Sequence, residues 1–264
     1  MSTKRLLCAV FLCLSVAAAM AQAVRAQTAA PPDGPVRNIV LVHGAFVDGS
    51  SWNGVIARLQ KKGYHVSAVQ NPLTSLADDV AATRRVLAQQ DGPTVLVGHS
   101  WGGVVITEVG ADDPKVVGLV YVAAVAPEIG ESPMDILKRG PPMPAANSMI
   151  RDASGFLWLD PAQYRAAIAA DVPQSLISVL SAAQQPIAAA AFDEKVDKAA
   201  WKTRPSWYIV TTKDRAVSPE LQRSMANRIG ATTVDIPSSH LVTVAHAGAT
   251  ADAIDKAARE FSKQ

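Results

Sequence analysis

The sequence predicts an α/β protein with a doubly wound, mostly parallel sheet. Short apolar runs alternate along the chain with segments in which apolar residues recur at helical spacing, and this alternation indicates successive βαβ units. The apolar runs are also nearly continuous, as expected for strands that are covered on both faces. A chain of 264 residues is long enough for one such domain with an insertion.

The first 26 residues have the pattern of a secretory signal peptide. Lys4 and Arg5 precede an almost entirely apolar run from Leu6 to Met20, and small-residue cleavage sites follow, after Ala21 or Ala26. This apolar run of 15 residues is shorter than the roughly 20 residues that a membrane-spanning helix needs. We therefore expect a secreted or periplasmic protein without a stable membrane anchor after cleavage.

Cleavage after Ala26 would also change the charge and the cysteine content. It would remove both cysteines, Cys8 and Cys13, so the mature chain would have neither a disulfide nor a thiol nucleophile. It would remove three of the 25 basic residues and none of the 23 acidic ones, so the net charge would move from +2 to −1. No basic surface for nucleic acid is expected. Residues 27–35 are polar and Pro-rich, which predicts a disordered linker before a domain at 36–264.

The first half of the domain supplies three strands and the helices between them. Strands are predicted at 36–42, at 65–69 and at 94–97, where apolar residues run together. Ser75 with Asp78 resembles a capping box at the start of the second helix. The apolar positions at helical spacing are Trp52, Val55, Ile56 and Leu59 in the first helix, and Leu76, Val80 and Leu87 in the second.

The second half continues the pattern after one long interruption. A strand at 116–125 precedes residues 127–200, where Pro-rich turns and helices near 161–170 and 173–190 predict a helical cap over the active edge of the sheet. The remaining predicted elements are a strand at 206–211, a helix opened by Ser218-Pro219, a strand at 231–236, and a last helix with Ile254, Ala258 and Phe261 on one face.

A Gly-x-Ser-x-Gly pattern joins the strand at 94–97 to the helix that follows it. Between a strand and a helix, this pattern predicts a nucleophile elbow, a tight turn that strains the backbone of Ser100 and lifts its hydroxyl above the sheet. Glycine is needed at 98 and 102 because a Cβ there would clash with the nearby backbone. The alternative is a glycine-rich turn whose serine has no catalytic role. The additional glycine, Gly103, is the only feature that favours this alternative.

A serine hydroxyl needs a base, and a carboxylate to orient that base. His240 follows the last strand at the sheet edge where Ser100 emerges, so we expect it to be the base, with His246 as the alternative. Asp214 directly follows the strand at 206–211 and is the expected acid, with Glu128 as the alternative. Asp214 could instead be a loop residue paired with Lys213 or Arg215. The other histidines are predicted to be structural: His99 faces away from the chemistry, His65 begins a strand, and His43 shapes the first loop.

Two backbone N–H groups are expected to stabilise the negative oxygen of a tetrahedral intermediate. Trp101, the residue after the nucleophile, supplies one at the positive end of its helix. The loop after the first strand supplies the other, which makes Phe46 the candidate and Ala45 the adjacent possibility.

These motifs resemble the α/β-hydrolase superfamily, in particular its small, lid-bearing serine esterases with a His-Gly-Ala-Phe oxyanion loop and a Gly-His-Ser-Trp-Gly-Gly elbow. The resemblance covers about residues 36–264. It implies that Ser100, Asp214 and His240 are catalytic and that Phe46 and Trp101 form the oxyanion hole. The same branch includes hydroxynitrile lyases, which carry a lysine after the catalytic histidine where this chain has Leu241, and cofactor-free haloperoxidases share the triad.

The expected activity is hydrolysis of a carboxylic ester through an acyl-Ser100 intermediate. The alternatives are a haloperoxidase or perhydrolase, a hydroxynitrile-lyase-like enzyme, and a non-enzymatic ligand-binding protein. No metal or dinucleotide motif is present, so no cofactor is expected. Apolar residues of the insertion predict a small to medium, mainly apolar ester as substrate; they are Met134, Met143, Met149, Phe156, Trp158 and Leu159.

Overall fold

In the computed structural model, which describes residues 34–263, six parallel strands form the central sheet. The strands lie in the order β2-β1-β3-β4-β8-β9, and every neighbouring pair is parallel. The predicted doubly wound parallel sheet is therefore confirmed. The strands are β1 (Asn38–Val42), β2 (His65–Ala68), β3 (Thr94–His99), β4 (Val116–Val122), β8 (Ser206–Thr211) and β9 (Thr232–Ile236).

Helices cover both faces of this sheet. Within β1, Ile39 and Leu41 belong to one apolar core and Val40 and Val42 to the other, because successive side chains of a strand point to opposite faces. The first core contains α1 (Asn53–Lys61) and α9 (Ala247–Phe261), and the second contains α2 (Leu76–Leu87), α3 (Gly102–Val109) and α7 (Pro219–Arg228).

Two predicted helix starts are confirmed in detail. Ser75 precedes α2, and its hydroxyl accepts a hydrogen bond from the Asp78 N–H at 3.0 Å. The capping box predicted there is only half formed, because the Asp78 carboxylate accepts from the Ser75 hydroxyl and not from the Ser75 N–H. Ser218 caps α7 in the same way, and Pro219 occupies the first helical position. Such a cap is worth about 1 kcal/mol of helix stability because it satisfies an N–H that has no partner inside the helix.

The segment between β4 and β8 is only partly helical. Three short strands form an antiparallel sheet there, β5 (Met149–Arg151), β6 (Phe156–Leu159) and β7 (Ile187–Ala188), and the sequence did not predict them. The helices expected near 161–170 and 173–190 are shorter than expected, α5 (Tyr164–Ile168) and α6 (Gln174–Ala182). The remaining helix of this segment is α4 (Pro133–Leu137), and a short helix, α8 (Val242–Ala245), precedes α9 near the end of the chain. Strands of two to four residues are too short for an alternation of polar and apolar residues to identify them.

The order of the strands explains where a site can form. From β1 the chain moves outward to β2 and then returns to β3 on the other side of β1. The loops that follow β1 and β3 therefore separate above the carboxyl ends of these strands and leave a crevice between them, where ligands bind in sheets of this kind. Those loops carry His43–Phe46 and Ser100.

Among residues 34–263, no helix has the length and apolar character needed to cross a bilayer. The predicted signal peptide and all but the last two residues of the predicted linker lie outside the described part of the chain.

Candidate active site

Ser100 lies at the turn between β3 and α3 with a strained backbone. Its φ is +52°, a left-handed conformation that costs most side chains about 1 kcal/mol or more. A Cβ on Gly98 would lie 2.5 Å from the Gly102 carbonyl oxygen, and a Cβ on Gly102 would lie 2.3 Å from that of Val42. The strain predicted for the serine and the need for both glycines are confirmed.

His240 and Asp214 are in direct contact at the carboxyl end of the sheet. The loop after β9 carries His240, and the loop after β8 carries Asp214. The His240 Nδ1 lies 2.7 Å from the Asp214 Oδ2, and both side chains are buried. The Nδ1–H of the imidazole therefore donates to the carboxylate, which leaves Nε2 as a proton acceptor.

Neighbouring donors hold the carboxylate of Asp214 in place. Its Oδ1 accepts from the Ala216 and Val217 N–H groups at 2.8 and 3.0 Å. Its Oδ2 accepts from the Thr211 hydroxyl at 2.7 Å and the Gln222 amide at 2.9 Å. Burial alone would raise the pKa of Asp214, but the interaction with His240 and these hydrogen bonds outweigh it and hold the pKa below its usual value.

Ser100 and His240 line one cavity of about 160 Å³. Within the described part of the chain the Ser100 hydroxyl makes no hydrogen bond, although His240 lines the same cavity. In enzymes without bound substrate, catalytic hydrogen bonds are often long and tighten only when the substrate is present. The structure thus brings Ser100, His240 and Asp214 to one place.

The loop after β1 offers a different N–H than the one expected. Phe46 has a φ of +62°, and its N–H donates to the Gln185 carbonyl at 3.1 Å. The Phe46 N–H is therefore occupied and does not serve as an oxyanion donor in this conformation. The adjacent Ala45 N–H has no such partner among the described residues, and both Ala45 and Trp101 line the cavity. Trp101 immediately precedes α3, where a helix attracts negative charge.

His99 differs from its predicted orientation. Its ring packs against that of His240, with 4.8 Å between the centroids, and its Nε2 lies 3.0 Å from the His240 carbonyl oxygen. The prediction that His99 faces away from the chemistry is therefore wrong. Burial lowers the pKa of His99 to about 3, so the neutral ring donates its Nε2–H to that carbonyl. His99 lies at the end of β3, directly below the loop that carries His240.

The other candidates have partners of their own. His43 is buried; its Nε2 accepts from the Asn71 N–H at 2.9 Å, in keeping with its predicted structural role. His246 contacts Asp171 at 3.2 Å, and Glu128 forms an ion pair with Lys202 at 2.9 Å. The Nδ1 of the exposed His65 lies 3.2 Å from the Asn38 Oδ1.

One buried carboxyl beside the site was not identified from the sequence. Asp79 of α2 is fully buried, and its Oδ2 accepts from the indole Nε1–H of Trp101 at 2.7 Å. Its Oδ1 accepts from the Leu73 N–H at 2.8 Å. Burial raises the pKa of Asp79 to about 6, because these hydrogen bonds only partly offset desolvation.

The cavity is almost entirely apolar. Apart from Ser100, Trp101 and His240, every side chain that lines it is apolar. Four of the six insertion residues expected at a substrate pocket contribute to it, and Phe156 and Trp158 do not. The apolar lining comes from Ala45, Phe46, Val125, Pro133, Met134, Leu137, Met143, Ala145, Ala146, Met149, Leu157, Leu159, Ile168, Phe192, Ala216 and Val217.

Comparison with known sequences identifies relatives across most of this domain. Residues 39–253 match the profile described as "Alpha/beta hydrolase family". An alpha/beta hydrolase of Aspergillus novofumigatus is 28% identical over 213 residues, which are 72% of this chain and 83% of that protein. A carbendazim hydrolyzing esterase of Nocardioides is 36% identical over 121 residues, 40% of this chain. The matched region spans 49% of the esterase, so only about half of that protein's length is compared.

The fold is shared with solved structures. The crystal structure of a pyrethroid hydrolase from Sphingobium faniae JZ-2 superposes with a TM-score of 0.75 and covers 84% of this chain and 97% of its own. The sequence identity is 24%, so this likeness establishes the fold alone.

Proposed function

The chain belongs to the alpha/beta hydrolase family, and we propose that it is a serine esterase that cleaves a small to medium, mainly apolar carboxylic ester. The family and the named hydrolase and esterase relatives agree with a carboxylic ester hydrolase. The observation that carries the serine mechanism is the 2.7 Å contact between His240 and Asp214 in the cavity that Ser100 also lines.

In the acylation step, the Ser100 hydroxyl attacks the ester carbonyl while the His240 Nε2 takes its proton. The carboxylate of Asp214 keeps the Nδ1–H in place and stabilises the imidazolium that forms. The carboxylate remains ionised, since its pKa lies below the usual value. His240 then returns the proton to the alcohol oxygen, which leaves as the C–O bond breaks.

In the proposed mechanism, the Ala45 and Trp101 N–H groups bind the oxygen that becomes negative in the tetrahedral intermediate. Ala45 replaces Phe46 in this role because the Phe46 N–H is already bonded to Gln185. Each such donor contributes about 3 kcal/mol of transition-state stabilisation in enzymes where it has been removed.

Deacylation repeats these steps with water. His240 removes a proton from a water molecule that attacks the acyl-Ser100 carbonyl, and a second tetrahedral intermediate forms in the same oxyanion hole. Its collapse releases the carboxylic acid and returns the proton to Ser100.

The lining of the cavity supports an uncharged substrate. No lining side chain carries a charge that could pair with a charged acyl or alcohol group, and burying an unpaired charge is costly. The three lining methionines, Met134, Met143 and Met149, are flexible and adapt to apolar groups of different shape. We therefore expect the enzyme to accept several neutral apolar esters.

A panel of p-nitrophenyl esters tests this function. Acetate, butyrate and octanoate esters should be hydrolysed, with a preference for the longer neutral chains over a succinate half-ester of similar size. Ser100→Ala should abolish turnover. A preference for the charged ester would overturn the proposed substrate class. Acetate-dependent halogenation with peroxide, without ester turnover, would instead favour a haloperoxidase.

We also propose that residues 1–26 direct export and are then removed. The basic, apolar and small-residue regions of this segment support the proposal. Expression of the full chain in a bacterial host, followed by N-terminal sequencing of the exported protein, should identify a start after Ala21 or Ala26. Recovery of only the uncleaved chain from the cytoplasm would contradict it.

A further inference from the structure

One stretch of the insertion contacts both loops that carry the proposed chemistry. This stretch, residues 164–185, is called the clamp segment here and includes α5 and α6. It touches the loop after β1, which holds Ala45 and Phe46, and the loop after β9, which holds His240. Most of these contacts are hydrogen bonds to the backbone of each loop.

At the loop after β1, the clamp segment satisfies both backbone groups of Phe46. The N–H donates to the Gln185 carbonyl at 3.1 Å, and the carbonyl accepts from the Tyr164 hydroxyl at 3.1 Å. Phe46 is left-handed with a φ of +62°, a conformation that persists only when the surroundings hold it. Tyr164 is fully buried, so water cannot replace its hydrogen bond.

Gln185 extends this contact to a third loop. Its side-chain amide donates to the Asn71 and Pro72 carbonyls at 2.7 and 2.9 Å. Asn71 in turn donates its N–H to the Nε2 of His43, two residues before Ala45, at 2.9 Å. The clamp segment, the loop after β2 and the loop after β1 are thus joined by hydrogen bonds.

At the loop after β9, the clamp segment fixes the residues on both sides of His240. The Ser239 N–H donates to the Asp171 Oδ2 at 3.0 Å, and the Ser239 hydroxyl also donates to Asp171. The Leu241 N–H donates to the Ile168 carbonyl at 2.9 Å. Ser239 and Leu241 are buried, so these bonds restrain the backbone on both sides of His240.

We propose that Tyr164 and Asp171 are positioning residues, which hold the oxyanion loop and the His240 loop in their reactive arrangement. The clamp segment is accordingly a fixed part of the active centre rather than a lid that leaves it. The proposal extends the proposed esterase function. It requires that loss of either contact lower the rate of the chemical step while substrate binding by the apolar cavity persists.

Tyr164→Phe removes one hydroxyl and leaves the packing intact. Because a displacement of catalytic groups by about 1 Å can cost 100-fold in rate, we expect kcat for p-nitrophenyl butyrate to fall by at least about tenfold with KM changed less than about twofold. Affinity for an alkyl trifluoromethyl ketone, which forms a tetrahedral adduct, should fall in parallel. Tyr64→Phe is the matched control, since its hydroxyl donates to Asp255 away from both loops.

Asp171→Ala tests the other loop. It should lower kcat to a similar degree and shift the pH dependence of kcat/KM, because His240 is no longer held beside Asp214. Asp160→Ala is the control, since the Asp160 carboxylate also accepts a backbone N–H, that of Ala162 at 2.9 Å, within the insertion itself. Turnover by the control should remain unchanged.

Hydrogen exchange of the backbone gives a readout that needs no activity. Asp171→Ala should speed exchange in a peptide covering 238–242 and leave a peptide covering 43–47 protected, whereas Tyr164→Phe should do the reverse. If both variants keep wild-type kcat and wild-type exchange, the proposal is overturned. If the two peptides and the melting temperature change together, the residues merely stabilise the fold, which also overturns it. If the wild-type protein neither hydrolysed esters nor was labelled at a serine, the proposed esterase function would be refuted. The hydrogen-exchange measurements would still show whether Tyr164 and Asp171 hold the two loops in place.

Discussion

Replacing Asp214 by asparagine should inactivate the enzyme by moving one proton of His240 from Nδ1 to Nε2. The Oδ1 position accepts from two backbone N–H groups, those of Ala216 and Val217, so the amide oxygen of an asparagine must occupy it. The amide NH₂ then occupies the Oδ2 position, which faces the His240 Nδ1. His240 must become an acceptor at Nδ1 and carry its proton on Nε2, where it cannot receive the proton of Ser100.

The size of the effect follows from this forced tautomer. The corresponding substitution in serine proteases leaves the geometry intact and lowers kcat about 10⁴-fold, which corresponds to about 5.4 kcal/mol of transition-state stabilisation. We expect a similar loss in Asp214→Asn. The new NH₂ also faces the amide donor of Gln222, and one unsatisfied buried donor costs about 1–3 kcal/mol of folding stability.

The assay is steady-state hydrolysis of p-nitrophenyl butyrate from pH 5 to pH 10, with unfolding in urea measured in parallel. Asp193→Asn, which changes an exposed carboxylate of the insertion, is the control. The reasoning would be refuted if Asp214→Asn kept more than about one tenth of wild-type kcat, because His240 would then work without the carboxylate. A loss of activity explained by unfolding alone would refute it equally.

Two further predictions concern stability. Burial raises the pKa of Asp79 to about 6, so ionisation of this carboxyl lowers the free energy of unfolding. The loss is absent below about pH 4 and complete above about pH 6, and it amounts to about 3 kcal/mol. The unfolding free energy of the wild type should therefore fall by about that amount relative to Asp79→Asn between pH 4 and pH 8 in urea titrations; parallel curves would contradict the shift. Gly102→Ala should cost about 3 kcal/mol and lower the melting temperature by about 6–12 °C, because its Cβ would lie 2.3 Å from the Val42 carbonyl oxygen. Gly92→Ala, where the nearest atom is 3.9 Å away, should melt like the wild type, and a similar loss in both variants would contradict the steric argument.

The sequence was sufficient for the sheet and for the strained turn at Ser100 because both have local signals. The strand, turn and helix around Ser100 are contiguous, and its backbone strain follows from the tight turn. His240 and Asp214 could be proposed from chain order alone. Their contact at 2.7 Å is what a parallel sheet produces when β8 and β9 are neighbours.

The oxyanion loop shows where sequence reasoning fails. Nothing near Phe46 indicates that its N–H is already bonded, because the acceptor is the carbonyl of Gln185 in a distant insertion. A backbone carbonyl has no side-chain signature, so no residue type marks this contact. The short strands β5, β6 and β7 were missed because segments of two to four residues show no recognisable alternation, and β7 pairs with β6 only after the intervening α5 and α6.

His99 and Asp79 illustrate a second limit. Both were visible as residue types, but their partners, the His240 carbonyl and the Trp101 indole, meet them only through tertiary packing. A buried histidine and a buried aspartate have many structural roles. Which of these roles each residue has depends on its neighbours in the folded protein.

Covalent labelling of the mature protein by a fluorophosphonate, followed by mass spectrometry of the labelled peptide, tests the central mechanism most directly. A single adduct on Ser100 is predicted, and its formation should slow at least about 100-fold in His240→Gln, since the serine would lack its base. An adduct on another residue, or labelling of Ser100 at an undiminished rate without His240, would contradict the mechanism.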